Sequence, residues 1–600
     1  MRLLLVLMLI SSFAFAQSNE QKIAYQYYVN GDFDKAIAIY KDLSKTNFLV
    51  GYYTPYFNSL YKMERYTEAE RLAYRMVKKF PNNLNYLMEK GICQRKNGQN
   101  RKSERTFEKV YNKLNGQQSQ TINLANSFVR YEMYSQALDV YDKAQVINTR
   151  NNFSVKKAQI YHYMGYSEKM VEEYLNLLSR NPRQKPIVIA NIQNFLDNNG
   201  IQSEANYQLV KKHLLRHVQQ EKDRTDFTEM LIWLFMQNHQ FKLALIQAKA
   251  LDRRTQSNGE RVYDLAEVFL DNEYYKLAID AYDFLIKKGK RNYLFVDAHI
   301  NKLYALSKQS IAKQQDITLI DARYQKVVEE LGKNKQTVIL LSNYAHFKAF
   351  YMHDLVAAQK ILYEAMHIPQ VATMDLAECK IEYADVMLLS DSVWEALLYY
   401  SRVEKEFKEH TIGHKAKYKR AKVAYYQGDF DWAQAQLDVL KASTSKLIAN
   451  DAMDLSLLIT DNLGLDTSEI PMQTFAKAEL FAFQKKYKQA IATFDSLLIV
   501  FKGHTLTDEV YWRKYELYKF QNNVALQTEM LDKIIKEFAY DILADDAVFH
   551  LAQLNEQQKN KEKAMELYEQ ILLKYKGSIY TAESRKRYRL LRGDNLNQEE

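Results

Sequence analysis

The sequence predicts an all-α fold, an α-solenoid of about fifteen stacked helix pairs. A small residue is followed twelve positions later by a second small residue, and four positions further on by an aromatic residue, as in Ala125, Ala137 and Tyr141. The typical period is 34 to 37 residues, which is the length of a repeated helix pair. Only 6 prolines and 16 glycines occur in 600 residues, so few hairpins or long loops are expected.

The recurring spacing places the second helix of each predicted unit. A small side chain on each helix allows the two helices to cross closely, and the aromatic residue fills the space towards the next pair. Ten units keep a small partner twelve residues earlier, on the first helix. The predicted second helices are centred on Ala36, Ala69, Ser103, Ala137, Met170, Ala205, Ala244, Ala278, Ala322, Ala357, Ala396, Ala433, Ala490, Gln527 and Ala564. The sequence does not fix the register around Ala244 and Ala322.

A long interval divides the array into two parts. From Ala278 to Ala322 the chain runs for 44 residues and includes the basic stretch 287–291. We therefore predict an N-terminal array over residues 17–289 and a C-terminal array over residues 290–593.

A second long interval predicts an additional helix. Ala433 and Ala490 are 57 residues apart, whereas the local period is 37. The surplus at residues 451–462 has helical patterning and ends near Gly464, so an extra helix is expected there. Residues 594–600 are predicted to form a tail.

The first sixteen residues have the pattern of a signal peptide. Arg2 precedes an apolar run over residues 3–10, and Ala14-Phe15-Ala16 matches a cleavage signal. The apolar run is shorter than the roughly 20 residues that span a bilayer, and no later stretch is apolar enough to do so. The first cysteine is Cys93, so no lipid attachment is expected at the cleavage point. We predict export to the periplasm and cleavage after Ala16.

Charge and sequence motifs indicate neither a nucleic-acid-binding protein nor an enzyme. The net charge is +10, but 83 basic and 73 acidic residues are interspersed, as on solvated helix faces. His213 and His217 lie four apart without the glutamate that a zinc-protease motif requires, so we interpret them as a surface pair. Cys93 and Cys379 are interpreted as buried free thiols. No phosphate loop or nucleophile elbow occurs, and no cofactor or metal is predicted.

The chain resembles the tetratricopeptide repeat family over nearly all of its mature length. That family places small residues at the eighth and twentieth positions and aromatic residues at the eleventh and twenty-fourth, which Ala24, Ala36, Tyr27 and Tyr40 match. Pro182 falls where the family often ends a second helix. The resemblance implies a right-handed superhelix with a concave groove. The C-terminal part also resembles the repeats of Gram-negative envelope proteins of the outer-membrane-assembly and Tol-Pal-coordinator types.

The family register identifies candidate partner contacts on the inner face of the first helices. These candidates are Tyr25, Tyr28, Arg95, Asn126, Gln159, His162, Tyr263, Glu267, Tyr418, Lys422 and Tyr425. Most other tyrosines are interpreted as packing residues, among them Tyr40, Tyr141, Tyr282, Tyr400 and Tyr568. Ile122 stands where a carboxylate-clamp repeat has lysine, although Asn126 matches the clamp asparagine, so binding of acidic C-terminal peptides is not expected.

The resemblance implies a non-enzymatic protein–protein interaction scaffold of the bacterial envelope. Its expected partners are envelope proteins, with peripheral association with outer-membrane complexes and no transmembrane segment. The alternative is a carbohydrate-binding nutrient-capture protein of the starch-utilisation type. The absence of a lipidation cysteine and the scarcity of tryptophan, at 4 residues, weigh against that alternative.

The first prediction concerns export. Mass spectrometry of the native mature protein is expected to find Gln17 as the first residue, because the apolar run and the Ala14-Phe15-Ala16 signal direct cleavage after Ala16. Recovery of the intact chain from Met1 in the membrane fraction would contradict it.

Overall fold

A computed structural model describes the chain over residues 19–46, 50–197, 203–312, 317–442, 445–463 and 468–594. Within these residues the regular elements are helices, with short 3-10 turns at Val50–Tyr52 and Pro182–Gln184 and no strand. The predicted signal peptide lies outside the described residues, as does the predicted tail apart from Asp594.

The helices belong to two compact units. Unit 1 comprises the described residues up to Asp226 and unit 2 those from Phe227 onwards. The predicted division at residue 289 falls inside unit 2. Unit 1 contains six helix pairs, formed by α1 (19–29), α2 (Phe33–Thr46), α3 (Tyr53–Lys62), α4 (Tyr66–Lys79), α5 (Leu84–Lys96), α6 (Asn100–Asn112), α7 (Gln118–Arg130), α8 (Tyr134–Ile147), α9 (Ser154–Tyr163), α10 (Ser167–Arg180), α11 (Lys185–Leu196) and α12 (Ser203–Gln220).

Unit 2 contains nine helix pairs and two single helices, α25 and α32. Its helices are α13 (Asp226–Gln237), α14 (Phe241–Thr255), α15 (Glu260–Asp271), α16 (Tyr275–Ile286), α17 (Phe295–Ala312), α18 (Ile317–Leu331), α19 (Val338–Phe350), α20 (Leu355–Met366), α21 (Thr373–Leu389), α22 (Val393–Glu406), α23 (Thr411–Tyr426), α24 (Phe430–Leu440), α25 (Lys446–Leu463), α26 (Ile470–Phe483), α27 (Tyr487–Val500), α28 (Thr507–Phe520), α29 (Val524–Glu537), α30 (Ala544–Gln557), α31 (Lys561–Lys574) and α32 (Thr581–Arg592). The predicted solenoid of about fifteen helix pairs is confirmed. Residues 451–462 lie within α25, which follows the pair α23–α24.

Small residues bring the two helices of a pair together. All ten predicted first-helix partners are fully or almost fully buried: Ala24, Gly91, Ala125, Ala158, Ala266, Ala345, Ala384, Ala421, Ala478 and Ala552. Between α5 and α6, the Ser103 hydroxyl donates to the Gly91 carbonyl oxygen over 2.7 Å. A Cβ atom at Gly91 would lie 2.5 Å from a ring carbon of Phe107, so the seam there has no room for a methyl group.

The predicted register is wrong at α12 and α20, and in α18, where the sequence does not fix the register, the predicted centre also lies outside the seam. Ala205 and Ala322 are exposed and Ala357 is only half-buried. Asn206 and Ala358 are the buried neighbours in α12 and α20. Because each residue turns a helix by about 100°, an error of one position moves a side chain from the seam towards solvent.

Tight turns join the two helices of most pairs. In unit 1 the residue with a left-handed backbone in these turns is Gly31, Glu64, Gly98, Glu132 or Gly165. At the end of α7 the Glu132 N–H donates to the Val129 carbonyl and the Met133 N–H donates to the Phe128 carbonyl, over 2.9 and 3.0 Å. These two bonds close the C-terminus of the first helix, so the second helix starts antiparallel to it.

Buried tyrosines connect the core to carboxylates on neighbouring helices. The five tyrosines predicted to pack are at most 1% exposed. The Tyr568 hydroxyl in α31 donates to Glu556 of α30 over 2.8 Å, and Tyr282 and Tyr400 donate in the same way to Glu267 and Asp385. A phenylalanine would fill the same space without this bond, which gives tyrosine a physical role at these positions.

The end of α26 reaches helices that precede it by several pairs. The Phe483 ring lies 6.2 Å from the Phe350 ring, which ends α19. The buried side chain of Gln484 donates to the Leu388 carbonyl and to Asp391, each over 3.1 Å. The C-terminal ends of α19, α21 and α26 are therefore joined inside unit 2.

The second prediction tests the seam. Ala137→Leu is expected to lower the free energy of unfolding by about 1–3 kcal/mol, because it overpacks a fully buried helix crossing. Ala38→Leu is the matched control, since Ala38 is exposed on α2 of the same unit. Chemical denaturation of both variants measures the difference, and equal stabilities would contradict the seam assignment.

Candidate functional site

Three adjoining cavities lie in unit 2, mainly along the first helices of its pairs. The proximal cavity of about 420 Å³ is formed by α17, α18, α19, α21 and α23. The central cavity of about 520 Å³ adds α25 to α21 and α23. The distal cavity of about 470 Å³ lies between α23, α25, α26, α28 and the start of α30. We call the three together the inner groove.

Shared residues join the three cavities into one surface. Glu378 and Lys415 line both the proximal and the central cavity. Tyr418, Lys422 and Asp451 line both the central and the distal cavity. Tyr418 and Lys422 lie one helical turn apart on α23, so they point to the same side.

Internal ion pairs occupy most charged groups of the proximal and central cavities. Lys415 Nζ lies 2.7 Å from Glu378 Oε2. Lys419 Nζ contacts both carboxylate oxygens of Asp385 over 2.8 and 2.9 Å, and Tyr400 donates to the same carboxylate. Lys422 differs, because its closest recorded contact among the described residues is the Tyr426 ring, 5.9 Å from the ammonium nitrogen.

The central cavity is mainly apolar and aromatic. Its wall is formed by side chains of α21, α22, α23, α25 and the end of α26, including Leu388, Ile412, Val423, Tyr426, Ile448 and Phe483. Burial raises the pKa of the Tyr418 phenol, and Lys422 partly offsets this effect. Tyr418 is therefore a neutral phenol at the wall of an apolar space, with an ammonium group beside it.

Helix α25 forms one wall of the distal cavity. Its buried side carries Ala452, Leu455 and Ile459 and packs into the core. Its cavity side carries Asp451, Asp454, Leu458 and Asp461, which recur at helical spacing.

Two other carboxyl groups of the distal cavity are already engaged. Glu479 accepts from Tyr425 and from Arg513, each over 2.7 Å. Burial, followed by the neighbouring Asp508, raises the pKa of Glu509 well above its usual range. Burial beside Asp508 therefore disfavours the charged form of Glu509.

The structure brings two of the five predicted unit 2 residues into the inner groove. Tyr418 and Lys422 line it, as described above. Tyr425 does not, and the prediction for this residue is wrong: it is fully buried, and its hydroxyl bonds to Glu479. Because α26 packs directly against α23 at this end, a position that the family register places on the groove is covered.

Tyr263 and Glu267 take part in a bond network between α15 and α17. Asn301 of α17 donates to the Tyr263 hydroxyl over 3.0 Å and to Glu267 over 2.9 Å. Glu267 also accepts from the buried Tyr282. These contacts engage the Tyr263 hydroxyl and one carboxylate oxygen of Glu267 within the fold.

The predicted residues of unit 1 lie at separate places. Gln159 and His162 share a small cavity of about 240 Å³, and Asn126 is exposed on α7. Arg95 places its guanidinium 5.7 Å from the Phe107 ring centre. Tyr25 is 54% exposed.

Tyr28 belongs to a hydrogen-bond network that ends at the buried carboxyl group of Glu89, which the sequence analysis did not identify. Asn58 donates to the Tyr28 hydroxyl over 3.2 Å, and the Tyr131 hydroxyl lies 3.3 Å from Asn58 and 3.4 Å from Glu89. Tyr53 donates to Glu89 over 2.5 Å. Burial raises the pKa of Glu89 to about 7, although the two phenol hydrogen bonds offset part of the effect.

Groove residues that the sequence analysis missed share one position. Glu378, Lys415 and Asp546 each stand six residues before a buried alanine, at Ala384, Ala421 and Ala552. That position lies about one turn ahead of the Tyr418 position on the same helix face. The repeat spacing therefore contains the signal that would have found them.

The histidine pair is not on the surface, so this interpretation was wrong. His213 and His217 are 7% and 6% exposed. His213 Nδ1 lies 2.8 Å from Glu172, and His217 Nδ1 lies 2.9 Å from Glu221. Because α12 packs against α10, Glu172 of α10 faces both rings, and Glu221, directly after α12, contacts His217.

The cysteines are buried and free, as the sequence indicates. Burial raises the pKa of Cys379 to about 12 and raises that of Cys93 further. Over the part of the chain that the structure describes, no group of three or more acidic, histidine or cysteine side chains is arranged to hold a metal ion. None of the described helices combines the length and the apolar character needed to cross a membrane.

The third prediction concerns Glu89. Its pKa in the folded state, about 7, exceeds the ordinary value of 4.5, so folding favours the protonated form. The wild-type free energy of unfolding should therefore fall as pH rises from about 5 to 8, and Glu89→Gln should remove that loss, gaining on the order of 2 kcal/mol over wild type at the upper end. Urea denaturation across this range measures the effect.

The control for this prediction is Glu108→Gln, which removes an exposed carboxylate on α6 of the same unit. The difference in stability between this variant and wild type should stay constant with pH. A Glu89→Gln difference that is likewise constant would show that Glu89 does not titrate in this range.

Comparison with known proteins gives one match to a family model. Residues 546–578 match the tetratricopeptide repeat, and they cover α31 and most of α30. The chain is 29% identical over 162 residues to a TPR repeat-containing protein of Methanocaldococcus jannaschii. That match covers 26% of this chain and 28% of the relative, so the chain spans less than a third of the relative's length.

Two solved structures are similar over most of the chain. The Naa15/Naa10 complex bound to HypK-THB is 13% identical with a TM-score of 0.28, covering 97% of this chain and 95% of that one. The APC/C hetero-tetramer Cut9–Hcn1 is 12% identical with a TM-score of 0.24, covering 90% and 96%. The family match identifies one tetratricopeptide repeat, formed by α30 and α31 among the helix pairs of unit 2.

Proposed function

We propose that the chain is a non-enzymatic interaction scaffold that binds a segment of a partner protein in the inner groove. The observation that carries the proposal is the common wall of Tyr418, Lys422 and Asp451 between the central and distal cavities. Each cavity is within the roughly 300–1,000 Å³ range of ligand sites. Their continuity over several helices suits an extended segment better than a compact small molecule.

The composition of the wall also supports a protein partner. The central cavity offers apolar and aromatic surface for a side chain, and Tyr418 and Lys422 provide polar groups at its edge. Aromatic residues placed centrally in a concave surface are common anchors of protein interfaces. Stacked helix pairs present such concave surfaces.

We further propose that this scaffold acts in the envelope of a Gram-negative bacterium. The signal-peptide pattern at residues 1–16 supports export to the periplasm, and the C-terminal resemblance supports association with outer-membrane complexes. The expected partners are therefore envelope proteins.

Carbohydrate capture of the starch-utilisation type is the second candidate. It is supported by the aromatic side chains of Tyr418, Tyr426 and Phe483 around the central cavity, since aromatic faces can also stack on sugar rings. Isothermal titration with malto-oligosaccharides distinguishes the two candidates, because a protein-binding scaffold should give no heat of binding that depends on Tyr418.

The fourth prediction tests the groove. Combining Tyr418→Ala with Lys422→Ala should reduce recovery of crosslinked envelope partners about tenfold or more, since anchor residues in protein interfaces typically contribute over 1 kcal/mol each. Affinity purification followed by quantitative mass spectrometry measures recovery. Tyr425 is left unchanged because its side chain is part of the core.

The matched control combines Tyr363→Ala with Lys360→Ala. Both residues are exposed on α20 and lie outside the three cavities. Circular dichroism should show that both double variants remain folded. Equal recovery of every partner by wild type and the Tyr418/Lys422 variant would refute the proposed site.

A further inference from the structure

We propose that the distal cavity binds a cationic amphipathic segment, whose basic side chains pair with aspartates of α25 and whose apolar side chains contact Trp512 and Ile542. This inference rests on the proposed function of the inner groove and names the chemistry of the partner.

The first argument is the local reversal of charge. The whole chain is basic, with a net charge of +10. The distal cavity is instead lined by six carboxyl groups and two basic side chains: Asp451, Asp454, Asp461, Glu479, Glu509, Asp546, Lys422 and Arg513. An acidic cavity on a basic protein attracts positively charged partners and repels negatively charged ones.

The second argument concerns which of these charges remain for a partner. Glu479 is paired with Arg513, and Asn462 donates to Glu509 over 3.5 Å. Asp546 accepts a hydrogen bond from Tyr580 over 2.6 Å. By contrast, Asp451, Asp454 and Asp461 form no ion pair within the described residues. Lys422 is also without one there, so these three aspartates outnumber the one basic side chain that remains.

The position of the three aspartates fits a bound segment. They recur at helical spacing along the cavity side of α25, with Leu458 between them, and Asp454 and Asp461 are exposed. Side chains spaced in this way form a stripe along one face of a helix. A segment lying along α25 would meet negative charge at intervals of one to two turns.

The apolar part of the cavity supplies the other half of the recognition. Ile542 is 73% exposed and Leu457 of α25 is 43% exposed. Trp512 of α28 is half-buried and lines the same cavity. Burial of this surface against a partner is favourable, and it distinguishes an amphipathic segment from a purely basic one.

The experiment uses three fluorescein-labelled synthetic peptides and the mature full-length protein. The first peptide places leucines along one face of a helix and lysines along the opposite face. The second peptide has glutamate in place of every lysine, and the third has serine in place of every leucine. Fluorescence anisotropy measures the affinity of each peptide at low and at physiological ionic strength.

The lysine–leucine peptide should bind wild type most tightly, and its affinity should fall with added salt. Combining Asp454→Asn with Asp461→Asn should weaken that binding about fivefold at low salt, the effect expected for two exposed ion pairs. The control combines Glu562→Gln with Glu569→Gln, two exposed residues on α31 that line none of the three cavities. This control removes the same charge and should leave the affinity unchanged.

Three results would overturn the inference. If the glutamate–leucine peptide binds more tightly than the lysine–leucine peptide, the proposed positive charge of the partner is wrong. If the lysine–serine peptide binds as tightly as the lysine–leucine peptide, the apolar contact does not contribute to recognition. Unchanged affinity in the Asp454/Asp461 variant, with an unchanged circular dichroism spectrum, would exclude α25 as the recognition surface.

None of these results would overturn the proposed function while the Tyr418/Lys422 variant still loses its crosslinked partners. If the Tyr418/Lys422 variant instead retains those partners, the inner groove is not the binding site. The two failures are therefore distinguishable.

Discussion

Close contact between the two helices of each pair is the constraint on which the rest of the structure depends. At Gly91 the approach of the Phe107 ring leaves no room for a methyl group, and at Ala125 and Ala137 the alanines are fully buried. The left-handed turn residue, such as Glu132, then fixes the direction of the second helix. Because each pair packs mainly on its neighbours, this local geometry decides which face of every first helix points inward.

Bonds between tyrosines and carboxylates form a second layer of organisation. Tyr400 and Lys419 both bind Asp385, and Tyr425 and Arg513 both bind Glu479. Each such bond satisfies a carboxylate that would otherwise be costly to bury. Pairing with Lys419 and Arg513 also compensates these two charges in the inner groove, whereas the aspartates of α25 form no such pairs within the described residues.

The sequence predicts the fold better than it predicts the site. Spacing of small residues identified the helix pairs because the seam tolerates few side chains. It failed at Ala205 and Ala357, each one position before the buried residue, Asn206 or Ala358. Tyr418 and Lys422 were found from register alone. Tyr425 was misplaced because its burial depends on how α26 packs, and the role of α25 could not be predicted because nothing in its sequence says which neighbours it lies against. These errors arise from tertiary packing, which a periodic pattern does not record.

The contacts at the end of α26 change how this part of the chain responds to stress. Arrays in which each repeat touches only its neighbours lose structure progressively from their ends. Gln484, however, binds the Leu388 carbonyl 96 residues earlier in the chain, and Phe483 meets Phe350, so a long loop is closed by a small number of contacts. If α26 unfolds, α19 and α21 lose these contacts at their C-terminal ends. The helices from α19 to α26 are therefore expected to open together rather than one at a time.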